Sequence, residues 1–344
     1  MVRTNERLLK ACRLEPTDRT PVWFMRQAGR YMPEYREMRK SHQMIEICKS
    51  PELSASLAAM PVEKFGVDAA ILFSDIMVPL LEMGVNLRIV DDIGPVVRHP
   101  LRTMQDVDSV GCLDTSSVAY VFDSIKRTRE LLGDKVPVIG FSGAPFTLAS
   151  YLVEGGSSRN YLNVKTMMYT RRETWEMLME KLSDVVVSYL SEQVAAGSRV
   201  IQLFDSWAGA LSPEDYREFV LPHMSSIAEK LSERGACVIS FLTGNSSLLP
   251  MMKCAGVAVV SVDWRTNIDD AWRMIGFDTA IQGNLDPSVL IADREYVIER
   301  ASDILKRTEG HRGHIFNLGH GILKETPEAN VAELVNFIHG EERL

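Results

Sequence analysis

The sequence predicts an α/β protein: a single-domain (β/α)8 TIM barrel with elongated βα-loops, spanning residues 1–344. Three observations predict it. Eight short apolar runs, rich in β-branched residues, recur along the chain. Segments of helical period lie between them, and strands that alternate with helices form parallel β/α units. Each run is followed at once by polar or glycine-rich residues, as at the C-terminal rim of a barrel, where this fold keeps its chemistry. The chain is longer than the ~250 residues typical of such a barrel, and long βα-loops take up the difference. An open doubly wound sheet is the rival arrangement.

In order, the candidate strands are residues 20–25, 69–73, 136–141, 200–204, 237–241, 257–262, 279–282 and 314–318. Residues 44–65 alternate apolar and polar positions at helical spacing. Breaks are expected there at Pro51 and Pro61, because proline removes a backbone donor and crowds the preceding turn. Residues 164–196 carry one long amphipathic pattern. Ser212-Pro213-Glu214-Asp215 joins an N-cap serine to proline at the first helical position, opening a helix to about Glu233. Thr326-Pro327-Glu328 opens the last helix, which ends near Gly340. No linker, low-complexity run or internal repeat divides the chain.

A net charge of −8 argues against nucleic acid as a partner, since phosphate backbones are met by basic surfaces. It leaves room for a small anionic substrate, because only the field within a cleft matters to such a ligand. The five cysteines (Cys12, Cys48, Cys112, Cys237 and Cys254) are odd in number, far apart and form no C-x-x-C pair. That usage fits a reduced chain without a disulfide framework or structural zinc. The first twenty residues are polar and amphipathic, unlike a signal peptide. No apolar run approaches the ~20 residues of a membrane span, so the expected location is the cytoplasm, with no membrane partner.

Arg26-Gln27-Ala28-Gly29-Arg30 follows the first run. Arginine presents a planar fork of donors that matches carboxylate or phosphate and stays charged when desolvated. Two forks around a glycine suit an anion pocket; they equally suit surface arginines laid over apolar neighbours. Asp75, Asp205 and Ser206 sit where helix caps are favoured. Tyr151 fits a core aromatic with a bonded hydroxyl, and His320, between glycines, fits a turn. No G-x-G-x-x-G or Walker loop follows a strand, and no His/Cys cluster has metal spacing. Ser206 lacks a G-x-S-x-G elbow, which disfavours a Ser-His-Asp hydrolase.

Several blocks resemble the uroporphyrinogen decarboxylase family. They are FMRQAGRYMPEYREMR (24–39), AAILFSDIM (69–77), GFSGAPFTLASYLVEGG (140–156), QLFDSWAG (202–209), QGNLDP (282–287) and NLGHGI (317–322). They occur in the family's order and span nearly the whole chain. The resemblance implies a single-domain (β/α)8 barrel, a homodimer, acting in cytosolic tetrapyrrole synthesis. It implies a carboxy-lyase that converts the four acetate arms of uroporphyrinogen to methyl groups, giving coproporphyrinogen and CO2, with no metal and no organic cofactor. Carried over by position, Arg26 and Arg30 would clamp substrate carboxylates. Asp75 would face the pyrrole N–H groups and stabilise the cation formed in the reaction. Tyr151, Ser206 and His320 would hydrogen-bond carboxylates, and backbone amides of Gln27, Ala28 and Gly29 would add donors. Ile45 stands where the family often has phenylalanine, so an apolar contact to the macrocycle survives there but an aromatic stack does not.

Two alternatives compete. Zinc-dependent corrinoid methyltransferases share this superfamily, but they carry His-x-Cys-Gly after the fifth strand and a cysteine near the last. Here those places read Phe241-Leu242-Thr243-Gly244 and Gly319-His320-Gly321, so the thiolate ligands are missing. A non-catalytic tetrapyrrole-binding protein would use the same arginines, yet it gains nothing from the negative charge of Asp75.

Overall fold

The computed structural model describes residues 6–90 and 94–340. Its strands, in chain order, are β1 (Ala70–Ile71), β2 (Leu87–Val90), β3 (Gly94–Val97), β4 (Val138–Gly143), β5 (Val200–Phe204), β6 (Cys237–Phe241), β7 (Val259–Ser261), β8 (Ala280–Leu285) and β9 (His314–Leu318). Seven of them form one curled parallel sheet, ordered β1-β4-β5-β6-β7-β8-β9. Helices Arg172–Ala195, Leu221–Glu233 and Arg294–Thr308 pack on β4, β6 and β8 respectively. Parallel neighbours require such crossovers, so the alternation read in the sequence and the sheet order are one fact.

The first expected strand, 20–25, does not form. It contributes one parallel bridge, Val22 to Phe316 of β9. The reason lies in its donors. Pro21 has none. The Val22 N–H goes to the Asp68 carboxylate at 2.8 Å, that of Phe24 to Gln27 Oε1 at 3.1 Å, and that of Met25 to Asn317 Oδ1 at 3.3 Å. Side chains thus take the bonds a ladder would use. On the other side, the Asp68 N–H donates to the Val22 carbonyl at 2.7 Å, next to β1. Segment 21–25 therefore lies between the two ends of the sheet.

Asp68 is the centre of this seam. It is 1% exposed and pairs with the buried guanidinium of Arg7, while its second oxygen also accepts from His339 Nε2 at 2.8 Å. Inside the curl, inward-facing Ile139, Val200, Ile239, Val259, Ala280 and Ile315 form a core with Leu8 and Leu9 of helix Arg7–Cys12. A polar layer crosses it. Trp23 Nε1 donates to Gln282 Oε1 (2.9 Å), and Gln282 Nε2 donates to Ser261 Oγ (2.8 Å) and Gln202 Oε1 (3.3 Å). Each buried amide is thereby satisfied, which such groups require.

Helix boundaries depart from expectation in three places, while the break expected at Pro51 forms. Pro51 starts helix Pro51–Phe65, capped by Ser50, and separates it from Met44–Lys49. Pro61 does not break that helix; it lies buried within it, where the helix packs against Ala119–Leu132. The long pattern at 164–196 divides at Arg171 into Leu162–Thr170 and Arg172–Ala195. The helix opened by Ser212 stops at Phe219, because Pro222 begins a new one, Leu221–Glu233. An unforeseen antiparallel hairpin, β2 with β3, occupies the long loop after β1. Among the described residues no helix is long and apolar enough to cross a membrane.

Candidate active site

Residues at the C-terminal ends of the parallel strands lie on one rim, and several of them are within electrostatic reach of one another. Arg26 follows segment 21–25 and takes a left-handed backbone, φ 59°. Its side chain lies against Gly321, where a Cβ would stand 2.5 Å from Arg26 Cδ, so glycine is needed there for the close approach. The Ile322 N–H donates to the Met25 carbonyl at 3.0 Å and ties this loop to the one after β9.

Asp75 follows β1 and is half-buried. One carboxylate oxygen accepts the Met77 N–H at 2.8 Å, which closes the turn before helix Val78–Glu82; the N-cap of that helix is Met77, so the expected cap by Asp75 does not form. Burial raises the pKa of this carboxyl, and the Met77 N–H and the charge of Arg26 oppose the rise. Tyr151, on helix Pro145–Glu154, packs its ring on Trp207 with centroids 3.9 Å apart. Its hydroxyl is pushed up to about 12 by burial and by Asp75, with Arg26 acting the other way. Tyr151 is therefore a donor at neutral pH, and Arg26, Asp75 and Tyr151 lie within one another's fields.

His320 follows β9. Its Nδ1 accepts the Gly321 N–H at 2.8 Å, which leaves the proton on Nε2. Burial, then the charges of Arg26 and Arg265, lower its pKa to about 4 against an opposing Asp263. The imidazole is thus neutral near pH 7 and offers one N–H. Ser206 follows β5 half-buried; its carbonyl accepts from Thr243 Oγ1 at 2.9 Å.

Other sequence candidates are placed differently. Gln27 is buried and turned inward: its amide donates to the Phe24 carbonyl at 3.1 Å and its Nε2 to the Ala69 carbonyl at 3.0 Å. Its backbone donor is thus engaged in a turn. Ala28 and Gly29 are half-buried, and Ala28 packs on the main core. Arg30 is exposed, and its carbonyl accepts from Arg36 at 2.9 Å. Ile45, half-buried on helix Met44–Lys49, packs on the same core. Two aromatics and one cation went unassigned in the sequence: Trp207, Trp264 and Arg265. All three follow strands, and that position was the available signal.

Asp205, beside Ser206, has a structural task. Its Oδ1 accepts the Thr147 N–H and hydroxyl at 3.2 and 2.9 Å, which links β5 to the helix carrying Tyr151. Its Oδ2 is buried without a hydrogen-bond partner. Burial pushes its pKa from 3.8 up to about 7. Between those values the native state keeps a proton that the unfolded chain releases, so stability falls as pH rises through this window. Asp205→Asn should remove that component: urea midpoints of parent and variant, compared from pH ~4 to ~7, should change in the variant's favour as pH rises. A constant difference would contradict the burial of this charge.

A surface groove of about 530 Å³ lies at the opposite end, lined by Glu15, Lys306, Arg312 and His314 among others, and holds none of the candidates above. Among the described residues, no three His, Cys, Asp or Glu side chains are grouped to hold a metal ion. What the rim offers is a cation, a carboxylate and three neutral donors, a set suited to a polycarboxylate that also carries N–H groups.

A family model described as uroporphyrinogen decarboxylase matches residues 3–341. A uroporphyrinogen decarboxylase from Carboxydothermus hydrogenoformans is 49% identical over 336 residues, which cover 97% of this chain and 96% of that protein. One from Solibacter usitatus is 48% identical over 332 residues, 96% of each. Among solved structures, a methyltransferase from Methanosarcina mazei aligns with a TM-score of 0.80 at 23% identity over 99% of both chains, a likeness of fold. With residues 3–341 matched by the family model and two relatives 48–49% identical over nearly their whole length, the chain belongs to the uroporphyrinogen decarboxylase family.

Proposed function

We propose that this chain is a carboxy-lyase that decarboxylates the four acetate arms of uroporphyrinogen, giving coproporphyrinogen and four CO2 without a cofactor. The observation that carries the reading is the match to uroporphyrinogen decarboxylases over nearly the whole chain, and the electrostatic reach of Arg26 to Asp75, Tyr151 and His320 supports it.

Decarboxylation needs an electron sink, which an organic cofactor supplies in other enzymes. A pyrrole supplies its own. Protonation at the ring carbon beside the acetate-bearing carbon makes a cation. The bond to the carboxylate then breaks, CO2 leaves, and the electron pair forms an exocyclic double bond while neutralising the ring. A proton adds to that methylene to give the methyl group, and the ring carbon loses the proton it took up. Each cycle replaces one CO2 by one proton.

Arg26 and Arg30 grip carboxylate arms, and Arg26 also faces Asp75. Asp75 accepts the pyrrole N–H groups and stabilises the ring cation, a preorganised charge aimed at one that develops in the transition state. Tyr151, Ser206 and the Nε2–H of His320 donate to further carboxylates, the amides of Ala28 and Gly29 add donors, and Ile45 gives apolar contact. In this reading residues 20–25 serve as the remaining stave of a closed (β/α)8 barrel, a single domain over 1–344. The Val22–Phe316 bridge and the Asp68 seam support it. The protein acts as a cytoplasmic homodimer, with no nucleic-acid partner.

Anaerobic incubation with uroporphyrinogen, followed by chromatography of the oxidised porphyrins, tests the function. Stepwise appearance of seven-, six-, five- and four-carboxylate species is expected. No turnover in metal-free buffer overturns it.

A further inference from the structure

We infer that Arg265 is a further substrate-binding residue, a pre-oriented guanidinium that takes a carboxylate arm of the tetrapyrrole beside His320. The inference rests on the proposed function and adds a specificity residue to it.

Arg265 follows β7 in the sequence Asp263-Trp264-Arg265. Three contacts fix it. The Asp263 carboxylate, 8% exposed, accepts the Arg265 backbone N–H at 3.0 Å and pairs with its guanidinium. The same carboxylate accepts the Gly244 N–H at 2.7 Å, which anchors it to the loop after β6. The guanidinium lies over the Trp264 indole, 4.3 Å from the ring centroid, in cation–π geometry. A long side chain that would otherwise sample many rotamers is thus held in one place.

Its position is also fixed relative to the cleft. Gly319 abuts this turn: a Cβ there would lie 2.5 Å from the Trp264 nitrogen. Gly319 immediately precedes His320, so the turn at 263–265 and the loop after β9 are in direct contact. Arg26 and Arg265 both act on His320 through their charge. Yet about half of the Arg265 side chain, 52%, remains exposed. Arginine has five N–H donors, and one carboxylate does not exhaust them.

A purely structural ion pair would need none of this exposure, and a solvent-facing arginine would need none of the anchoring. A guanidinium both immobilised and open, next to a neutral imidazole N–H, is a receptor for a carboxylate. The substrate carries acetate and propionate arms, and either suits the site.

The test uses Arg265→Gln and Arg265→Lys in the full-length protein. Binding of uroporphyrinogen and coproporphyrinogen is measured anaerobically by tryptophan fluorescence, alongside KM and kcat. Arg265→Gln should weaken binding and raise KM by roughly 10–100-fold, the range for losing a charge-assisted bond, with kcat little changed. Arg265→Lys should recover part of the loss, and the deficit should shrink at high salt. Weaker binding of both porphyrinogens assigns the arm as propionate. Weaker binding of uroporphyrinogen alone assigns it as acetate. Unchanged affinity for both overturns the inference while leaving the decarboxylase reading intact. A parent protein that binds these porphyrinogens but releases no CO2 removes the function and leaves the binding result to stand.

Discussion

Asp75→Asn should lower kcat on uroporphyrinogen by about 10²–10³-fold, or roughly 3–4 kcal/mol of barrier. Affinity for coproporphyrinogen should change far less. Asparagine retains an Oδ1 that can accept the Met77 N–H, so the turn leading into helix Val78–Glu82 survives. What it removes is the negative charge. In the free protein that charge is disfavoured by burial and only partly supported by Met77 and Arg26. Its stabilising partner arrives when the pyrrole is protonated, and an interaction realised only then acts on kcat rather than on binding. Asp75→Gly also removes the acceptor of the Met77 N–H, so it should lose stability by about 1 kcal/mol in addition. The pH profile has a defined sign as well. Because the Asp75 pKa is raised, activity should fall with decreasing pH at a value above that of an ordinary carboxylate, and this limb should vanish in Asp75→Asn. Steady-state kinetics paired with product titration checks both points. If turnover and product affinity fall together by the same factor, Asp75 is a binding group and not a stabiliser of the cation.

The largest effect on folding is expected at the other end of the sheet. Asp68→Ala should destabilise the protein by about 3–5 kcal/mol, the usual result of breaking a buried ion pair from one side. Arg7 would be left charged and buried, with only the part-exposed Asp18 at 2.7 Å. The Val22 N–H and His339 would lose their acceptor. Asp68→Asn, which can still accept from Val22, should fall between parent and alanine. Urea unfolding of the three proteins gives the comparison, and an alanine variant with the parent's midpoint would show that the seam does not depend on Asp68. Since Asp68 precedes β1 and Asp75 follows it, kcat of the folded alanine variant should stay near that of the parent.

These two aspartates show what can be read locally and what cannot. The strands of the parallel sheet were legible because each is a compact apolar run bounded by polar residues, and the C-terminal rim followed from their direction. A local hydrogen bond of Asp75 was legible for the same reason, since its partner is two residues away, but it closes a turn and does not cap the helix. The nearness of Asp75 to Arg26 and Tyr151 was not legible, because two loops and a helix far apart in sequence bring them together; only the family blocks pointed to it. Residues 20–25 misled for a definite cause: their composition is that of a strand, but Asp68, Gln27 and Asn317 take their donors. Gln27 looked like part of an anion loop and is instead the internal support of that loop. Arg265 follows a strand, and that position was its one signal in the sequence. Its anchoring by Asp263 is local in sequence, whereas its relevance depends on the loop after β9.

The seam has a consequence for the order of assembly. Met25 donates to Asn317, 292 positions away, and Arg26 rests on the neighbouring glycine, Gly321. A chain emerging from the ribosome makes Arg26 early but cannot fix it until the last strand is present. Helices and sequential strand pairs can form as the polypeptide lengthens. The reactive cleft is completed in a single late closure, whose entropic cost grows only slowly with the length enclosed. Catalytic competence should therefore appear in refolding as the final event, after most of the helical signal has returned.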